Sequence, residues 1–220
     1  MTIFPVFYLP PIEYFSKFLH SEKVIFEVHE HFEKQTYRNR CSIYGANGKL
    51  NLIIPIKHQG ERTPFKEVKI SNENHWQTIH WRSLETAYRT SSFFEYYEHI
   101  LAPFYEKKFT YLIDFNFALM HEIFKIIEFQ PLRFSIEKTT GIQPLPVNIT
   151  ESFLKSYSEA EDLRNIFKTN SHNLNLTKNF EYPQVFSNKH GFITNLSIVD
   201  LIFNIGPEAG SFCRTMKLTR

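Results

Sequence analysis

The sequence predicts an α+β fold in which a mostly antiparallel N-terminal sheet is covered by several α-helices in a single compact unit. Short apolar runs bounded by Pro and Gly occupy residues 1–72 and favour strands, whereas apolar residues from 74 onward recur at three- and four-residue steps, as in amphipathic helices. A chain of 220 residues is long enough for one domain with a sizeable core. Its 23 Phe residues predict that packed rings form much of that core.

Five segments of the first part have the pattern of strands, and one short helix interrupts them. Pro11 suits the first turn of a helix that ends near Leu19, because its missing N–H would have no partner there. Asn47-Gly48 supplies the positive φ values that a tight hairpin turn requires, so the strands on either side of it are predicted to pair. The predicted strands are residues 3–8, 23–30, 37–44, 49–56 and 65–70.

The second part of the chain is predicted to be mainly helical. Trp76, His80, Leu84 and Tyr88 are spaced one turn apart, so they share one side of a helix. Late in the chain, Ser197 can cap the start of a helix that Gly206-Pro207 stop. We expect helices at residues 76–88, 93–105, 115–129, 158–167 and 195–211, a strand at 132–139, a connector at 141–150 and an exposed excursion at 168–184.

The apolar faces of the late helix at residues 195–211 imply that the C-terminal end docks back onto the first part of the chain. We therefore expect one domain over residues 1–220. It would comprise a sheet-rich part at 1–72, a helical part at 73–140, and a connector with the docking helix at 141–220.

The composition excludes several classes of function. A net charge of +2 is too small for the clustered cations that nucleic-acid binding needs. Residues 1–15 are broken by prolines and have the pattern of neither a signal peptide nor a membrane span, and no later stretch reaches about 18 apolar residues. Two Cys are too few for a disulfide framework. We expect a cytoplasmic protein without an integral membrane segment, and the oligomeric state stays open.

Cations crowd the predicted strand at residues 37–44. Side chains alternate along a strand, so Arg38 and Arg40 would project from one face about 7 Å apart, and Asn39 from the other. Each guanidinium can form a bidentate bond to a carboxylate or phosphate, which suggests a clamp for an acidic ligand. In the alternative, structural interpretation the arginines pair with internal acids such as Glu27, Glu30 or Glu33.

The helix at residues 76–88 offers a second candidate group. His80 has an ordinary pKa near neutrality and could act as a general base, with Trp76 and Tyr88 along the same line. The structural alternative is that His80 satisfies a backbone carbonyl between helix and sheet. His29 and His31 have acceptable metal-ligand spacing but lack a third ligand, so no metal site is expected and the cofactor stays unknown.

Asp200 lies on an otherwise apolar helix, where an unpaired carboxylate is expensive to bury. One of the two arginines is the expected partner. The pair would either close the fold or leave a partly neutralised ligand pocket.

Five blocks occur in an order that resembles one known family. They are "YLPPIEYFSKF", "EKQTYRNRC", "NGKLNLIIPI", "HWRSLETAYRTSSFFEYYE" and "NLSIVDLIFNIGP", and they extend over nearly the whole chain. Together they resemble the WbqC-like protein family. One departure is Ser92, where the family usually has Pro before two Phe, which affects no candidate site residue.

The resemblance implies a bacterial protein associated with O-antigen or other surface-polysaccharide biosynthesis, and a role as an acyl or aminoacyl (glycine) transferase. It places Asn39, Arg40, Trp76, His80, Tyr88 and Asp200 in the family's motif blocks without assigning a catalytic residue. We expect a transferase that acts on a small-molecule or nucleotide- or lipid-linked sugar precursor, with His80 as the base. Arg38, Asn39, Arg40, Trp76, Tyr88 and Asp200 are expected to bind the substrate. The alternative is a non-catalytic module that binds a sugar or a partner protein through exposed aromatic residues.

Overall fold

The chain begins with a parallel β-α-β unit. Strand β1 (Thr2–Phe4) leads into helix α1 (Ile12–Leu19), and strand β2 (Val24–Phe26) returns beside β1 in the same direction. Strand β5 (Glu161–Asp162) pairs with the other edge of β1, also in parallel. The computed structural model describes residues 1–22, 24–58, 60, 62–127, 160–167, 175–176, 180–216 and 218–219.

The prediction of a mostly antiparallel N-terminal sheet is wrong. The helix between β1 and β2 returns the chain to the end of the sheet at which β1 started, which makes the two strands parallel. Pro5 follows β1 directly and cannot donate a ladder hydrogen bond, so the strand is only three residues long. Every residue of β1 and β2 is buried, as expected of parallel strands that are covered on both faces.

The predicted hairpin is confirmed. Strands β3 (Arg40–Gly45) and β4 (Gly48–Ile53) pair antiparallel, with Arg40 opposite Ile53 and Gly45 opposite Gly48. The positive φ lies at Gly48 alone, at 102°. Strand β3 begins three residues later than predicted, so Arg38 and Asn39 precede it. The predicted strand at 65–70 is wrong, since Phe65–Glu67 form a single 3-10 turn.

Three helices follow in the positions that the periodicity indicates. They are α2 (Trp76–Tyr88), α3 (Phe94–Glu106) and α4 (Leu112–Ile126), the last beginning three residues earlier than predicted. The helix predicted at 158–167 is wrong, because the described part of this segment, residues 160–167, holds β5 and a turn. The strand predicted at 132–139, the connector at 141–150 and most of the excursion at 168–184 lie outside the described residues.

The C-terminal part packs against the first. Helix α6 (Ile198–Ile205) begins where predicted, and the Ser197 hydroxyl accepts a hydrogen bond from the backbone N–H of Val199. Helix α1 contacts both α6 and α7 (Ala209–Thr215), and the backbone N–H of Ser197 donates to the carbonyl of Ser42 in β3. The remaining elements are β6 (Asn175–Leu176), α5 (Ser187–His190) and β7 (Leu218–Thr219).

Aromatic rings connect these elements, as the composition predicts. Phe18 of α1 lies 5.2 Å from Phe4, 5.8 Å from Phe26 and 4.7 Å from Phe124, measured between ring centroids. The buried apolar cluster that contains these rings extends along the sequence from Phe4 to Met216. The division into one domain with three parts stays a prediction.

Candidate functional site

Arg38 is held by the protein's own carboxylates. Its Nε donates to Glu30 Oε1 over 2.9 Å and its Nη2 lies 2.8 Å from the same oxygen, while Nη1 lies 3.5 Å from Glu33 Oε2. The side chain is 1% exposed and its guanidinium lies over the ring of Phe7. This is the structural alternative to the predicted clamp. Because Arg38 precedes β3, the two arginines also do not share a strand face as predicted.

Arg40 and Asn39 have a different environment. Arg40 is half-buried, and within the described part of the chain its Nε has no hydrogen-bond partner. The side-chain amide of Asn39 donates to the Ile54 carbonyl over 2.9 Å, and that of Asn116 donates to the Arg38 carbonyl over 2.8 Å. Both amides therefore hold the backbone around the start of β3. The substrate-binding role of Asn39 and Arg40 stays a prediction.

His80 lies in a buried hydrogen-bonded chain. Its Nε2 lies 3.2 Å from the Ile53 carbonyl and its Nδ1 lies 2.9 Å from the Tyr8 hydroxyl. A carbonyl only accepts, so Nε2 carries the proton and Nδ1 accepts from Tyr8. Tyr8 in turn accepts from Tyr105, whose hydroxyl is 2.9 Å away. Both ring nitrogens of His80 are thus engaged within the protein.

Burial sets the charge state of His80. The residue is 3% exposed, and this desolvation lowers the pKa of the imidazole to about 4, against the opposing effect of the hydrogen bond to Ile53. Trp76 packs edge-on against the imidazole, with 5.1 Å between ring centroids. His80 is therefore a neutral group between α2 and β4, which favours the structural alternative. Its catalytic role stays a prediction.

Asp200 has a different partner from the one predicted. Its carboxylate accepts hydrogen bonds from the hydroxyls of Tyr88, over 2.7 Å, and Tyr182, and from the side-chain amide of Gln184 over 3.1 Å. The expected ion pair with an arginine is wrong, because Arg38 is bound to Glu30 and three neutral donors surround the carboxylate. Desolvation raises the pKa of Asp200 to about 6, although these donors act to lower it.

A cleft that the sequence analysis missed lies between α1 and the C-terminal segment. Its volume is about 340 Å³. None of the seven predicted site residues lines it, but Tyr182 does, and Asp200 and Tyr88 lie directly behind this tyrosine. The lining includes Glu13, Phe180, Tyr182, Phe192, Asn195 and Phe212.

Two backbone hydrogen bonds between the chain segments at the starts of α1 and α6 place Glu13 in this cleft. The backbone N–H of Ile12 donates to the Leu196 carbonyl over 3.0 Å, and the N–H of Ile198 donates to the Pro10 carbonyl over 2.9 Å. This reciprocal pairing brings the first turns of α1 and α6 together. The backbone N–H of Glu13 then lies 3.3 Å from Asn195 Oδ1. Asn195 has a φ of 52°, a left-handed conformation that Asn tolerates better than most residues.

Glu13 is the most chemically distinctive group of the cleft. The residue is 7% exposed, and burial raises the pKa of its carboxyl from 4.5 to about 7, while a hydrogen bond from the Asn195 side chain acts in the opposite direction. Among the ion pairs of the described residues, none includes Glu13. A carboxyl that titrates near neutrality and lines a cleft is suited to general acid–base chemistry.

The signal for this site was present in two of the family-like blocks. "YLPPIEYFSKF" contains Glu13, and "NLSIVDLIFNIGP" begins at Asn195. Each block by itself predicts an apolar helix. The cleft forms only because the two segments pair in the folded protein. Among the described residues, no group of three or more His, Cys, Asp or Glu is placed to hold a metal ion. No helix in the described ranges has the length and apolar character needed to cross a bilayer.

The fold and the cleft define a protein of mixed helices and small sheets with a buried carboxyl group in an aromatic-walled recess. The chain belongs to the WbqC-like protein family, whose family model matches residues 6–212. It is similar to the uncharacterized protein Rv1507c of Mycobacterium tuberculosis (strain ATCC 25618 / H37Rv), with 25% identity over 221 residues that cover 94% of each chain. No solved structure matches the chain.

Proposed function

We propose that this protein is a transferase that moves an acyl or aminoacyl group onto a sugar precursor in bacterial surface-polysaccharide biosynthesis, and that the transfer takes place in the Glu13 cleft. The observation that carries the proposal is the buried Glu13 carboxyl, which lines a cleft, titrates near neutrality and has no ion-pair partner among the described residues. The biosynthetic context is what the resemblance to the family implies, and both this context and the substrate class are part of the proposal.

The reaction needs a base because a hydroxyl or amine is a poor nucleophile while it keeps its proton. In the proposed step the Glu13 carboxylate takes a proton from the acceptor, and the acceptor atom attacks the acyl carbon of the donor. The bond between this carbon and the donor's leaving group then breaks. Asn195, which is hydrogen-bonded to Glu13, orients the carboxylate, and the aromatic walls hold the sugar ring.

Glu13 takes the role that the sequence analysis gave to His80. A general base works best when its pKa lies near the working pH, which the value of about 7 for Glu13 satisfies and the value of about 4 for His80 does not. Glu13 also lines the cleft, whereas both His80 nitrogens are engaged in hydrogen bonds. His80 is then a positioning group for β4.

The test is an acyl-transfer assay followed by mass spectrometry of the acceptor. Acetyl-coenzyme A and a glycyl thioester serve as donors, and nucleotide-linked amino and neutral sugars as acceptors. We expect product with the unaltered protein and a loss of about 100-fold or more for Glu13→Gln, the usual contribution of a general base. Glu22→Gln removes an exposed carboxyl just after α1 and is the matched control. An active Glu13→Gln variant would overturn the assignment of the base.

The second candidate function is a non-catalytic sugar-binding module. The aromatic walls of the cleft favour it, whereas the segment 93–106 does not, since Phe94, Tyr97 and Tyr105 are buried and only Tyr96 of its aromatic residues is largely exposed, at 66%. Sugar binding in calorimetry, without product from any donor, would select this candidate over the transferase.

A further inference from the structure

We infer that the cleft recognises its ligand through a primary ammonium group, of the kind an amino sugar carries, seated between aromatic rings and the Glu13 carboxylate. The inference deepens the proposed function, since it rests on the cleft being the acceptor site and names the acceptor as an amine. It also changes the expected chemistry of the ligand: the two-arginine clamp predicted an anion.

Four aromatic side chains line the cleft, and we call them together the aromatic cage: Phe180, Tyr182, Phe192 and Phe212. Tyr182 meets Phe192 edge-to-face, with 5.3 Å between centroids and 90° between planes, and it meets Phe212 at 5.6 Å and 79°. Phe180 in turn packs against Phe212 at 6.1 Å and 79°. All four side chains line the cleft, so a group bound there would lie against aromatic rings. Ammonium ions are attracted to the faces of such rings.

The charges of the lining point the same way. Among the described residues that line the cleft, Glu13 and Glu181 are acidic and none is Lys, Arg or His. A phosphate or carboxylate placed there would be repelled by both acids and would find no positively charged side chain in the described lining. A cation would instead supply the missing partner of the buried Glu13 carboxylate.

An amine acceptor also completes the proposed reaction. The ammonium group gives one proton to the Glu13 carboxylate and becomes a neutral amine. The amine nitrogen attacks the acyl carbon, the new C–N bond forms, and the bond to the leaving group breaks. The second proton departs with the leaving group, which leaves an amide with one N–H and a protonated Glu13.

Binding of an amine that stays protonated over the measured range should depend on pH. Among the described residues, Glu181 and Tyr182 are the other titratable groups that line the cleft, and Tyr37, on the segment that precedes β3, interacts electrostatically with Glu13. The pKa of Tyr37 is raised by burial and by Glu13, so neither it nor Tyr182 ionises near neutrality. As pH falls below 7, Glu13 takes up a proton and the affinity for an ammonium ion should fall by up to tenfold per unit.

Calorimetric titration with 6-amino-6-deoxyglucose tests the inference, because its alkylammonium stays protonated from pH 6 to 8. We expect this probe to bind at least ten times more tightly than glucose at pH 8, with the preference shrinking at pH 6. Glu13→Gln should abolish both the preference and its pH dependence, and Glu22→Gln should keep them. Equal affinity for the two sugars would overturn the inference.

A second variant keeps the test valid if Glu13→Gln does not fold. Phe192→Leu keeps an apolar side chain at a half-buried wall position but removes the π-face. We expect this variant to bind the amino sugar several-fold more weakly and to bind glucose with unchanged affinity. An unaltered amino-sugar affinity would mean that the rings do not recognise the cation.

Two further arms separate the possible sources of an ammonium group. A lysine methylamide that binds as tightly as the amino sugar would overturn the sugar part of the inference. Lys178 and Lys217 lie outside the described residues but are close in sequence to Phe180 and Met216 of the lining. If Lys178→Gln with Lys217→Gln strengthens amino-sugar binding markedly, an internal lysine occupies the cage and the inference fails.

Binding and turnover separate this inference from the proposed function. Tight binding of the amino sugar without any acyl transfer would support ammonium recognition by the cage and contradict the proposed transferase activity. Transfer to hydroxyl acceptors, without a preference for ammonium, would support the transferase activity and contradict ammonium recognition.

Discussion

The hydroxyl of Tyr88 donates to the Asp200 carboxylate over 2.7 Å, and this bond joins the end of α2 to α6 across 112 positions of the sequence. The same hydroxyl accepts a hydrogen bond from the backbone N–H of Tyr44 over 3.1 Å, so it acts as donor to Asp200 and as acceptor from Tyr44. Since Tyr182 of the cleft wall also donates to Asp200, the carboxylate ties the wall to the core. Asp200 thus supports the wall of the cleft without lining the cleft itself.

Tyr88→Phe removes this link while keeping the ring. We expect the free energy of unfolding to fall by about 1–3 kcal/mol, because the buried Asp200 and the Tyr44 N–H each lose a partner. Urea denaturation of the variant measures the change. Tyr96→Phe, at a largely exposed hydroxyl, is the control and should differ from the unaltered protein by less than about 0.5 kcal/mol. Equal stability of the two variants would contradict the role given to Tyr88.

Glu13→Gln should stabilise the protein at alkaline pH. The folded-state pKa of about 7 lies above the ordinary 4.5, so the stability that protonated Glu13 contributes is complete below pH 4.5 and is lost as pH rises through 7. The amide does not ionise. We expect the variant to match the unaltered protein near pH 4 and to exceed it by about 3 kcal/mol at pH 8.

The measurement is the difference between the two unfolding free energies across this pH range, which cancels the contributions of other titrating groups. A difference that does not change with pH would show that Glu13 titrates normally. A gain in stability combined with a loss of activity would be the trade-off expected of a functional group that is held in an unfavourable environment.

Arg38→Met should destabilise the protein strongly. It leaves the buried Glu30 carboxylate without its cation, which costs about 3–5 kcal/mol when one partner of a buried pair is removed. The double variant Arg38→Met with Glu30→Leu removes both charges and should recover much of this loss. Arg40→Met is the comparison, since no ion pair of Arg40 occurs among the described residues, and we expect a loss of less than about 1 kcal/mol. Denaturant unfolding of the three variants decides.

His80 should stay neutral throughout the physiological pH range. Its pKa of about 4 lies below the ordinary 6.5, so it contributes stability that is present above pH 6.5 and is lost as pH falls through 4. NMR shifts of the imidazole should therefore be constant from pH 8 to about 5. A titration midpoint near 6.5 would indicate an accessible ring and would revive the predicted role as base.

Several parts of the fold could be read from local patterns. The three-and-four spacing of apolar residues located α2 and α3 closely, and the Ser197 cap and Gly206-Pro207 bounded the late helix. The hairpin followed from Gly48. Each of these signals is a property of neighbouring residues, since helix periodicity, capping and turn geometry involve only a few positions at a time.

The direction of the first sheet could not be read in this way. Residues 3–8 and 23–30 have strand patterns, but pairing direction depends on where α1 returns the chain. The partners of the charged residues were equally hidden. Arg38 and Asp200 each need a counterpart, and which candidate lies within reach is decided by the packing of distant elements.

The sequence by itself determined helices α1 to α4 and α6, the hairpin, the aromatic core and the family, because these depend on local spacing or on ordered blocks along the chain. Only the tertiary structure decided the site. Glu13 and Asn195 are separated by most of the chain. They meet because two backbone hydrogen bonds bring the first turns of α1 and α6 together. Residues from both ends of the chain form the cleft, and burial within it raises the pKa of the Glu13 carboxyl.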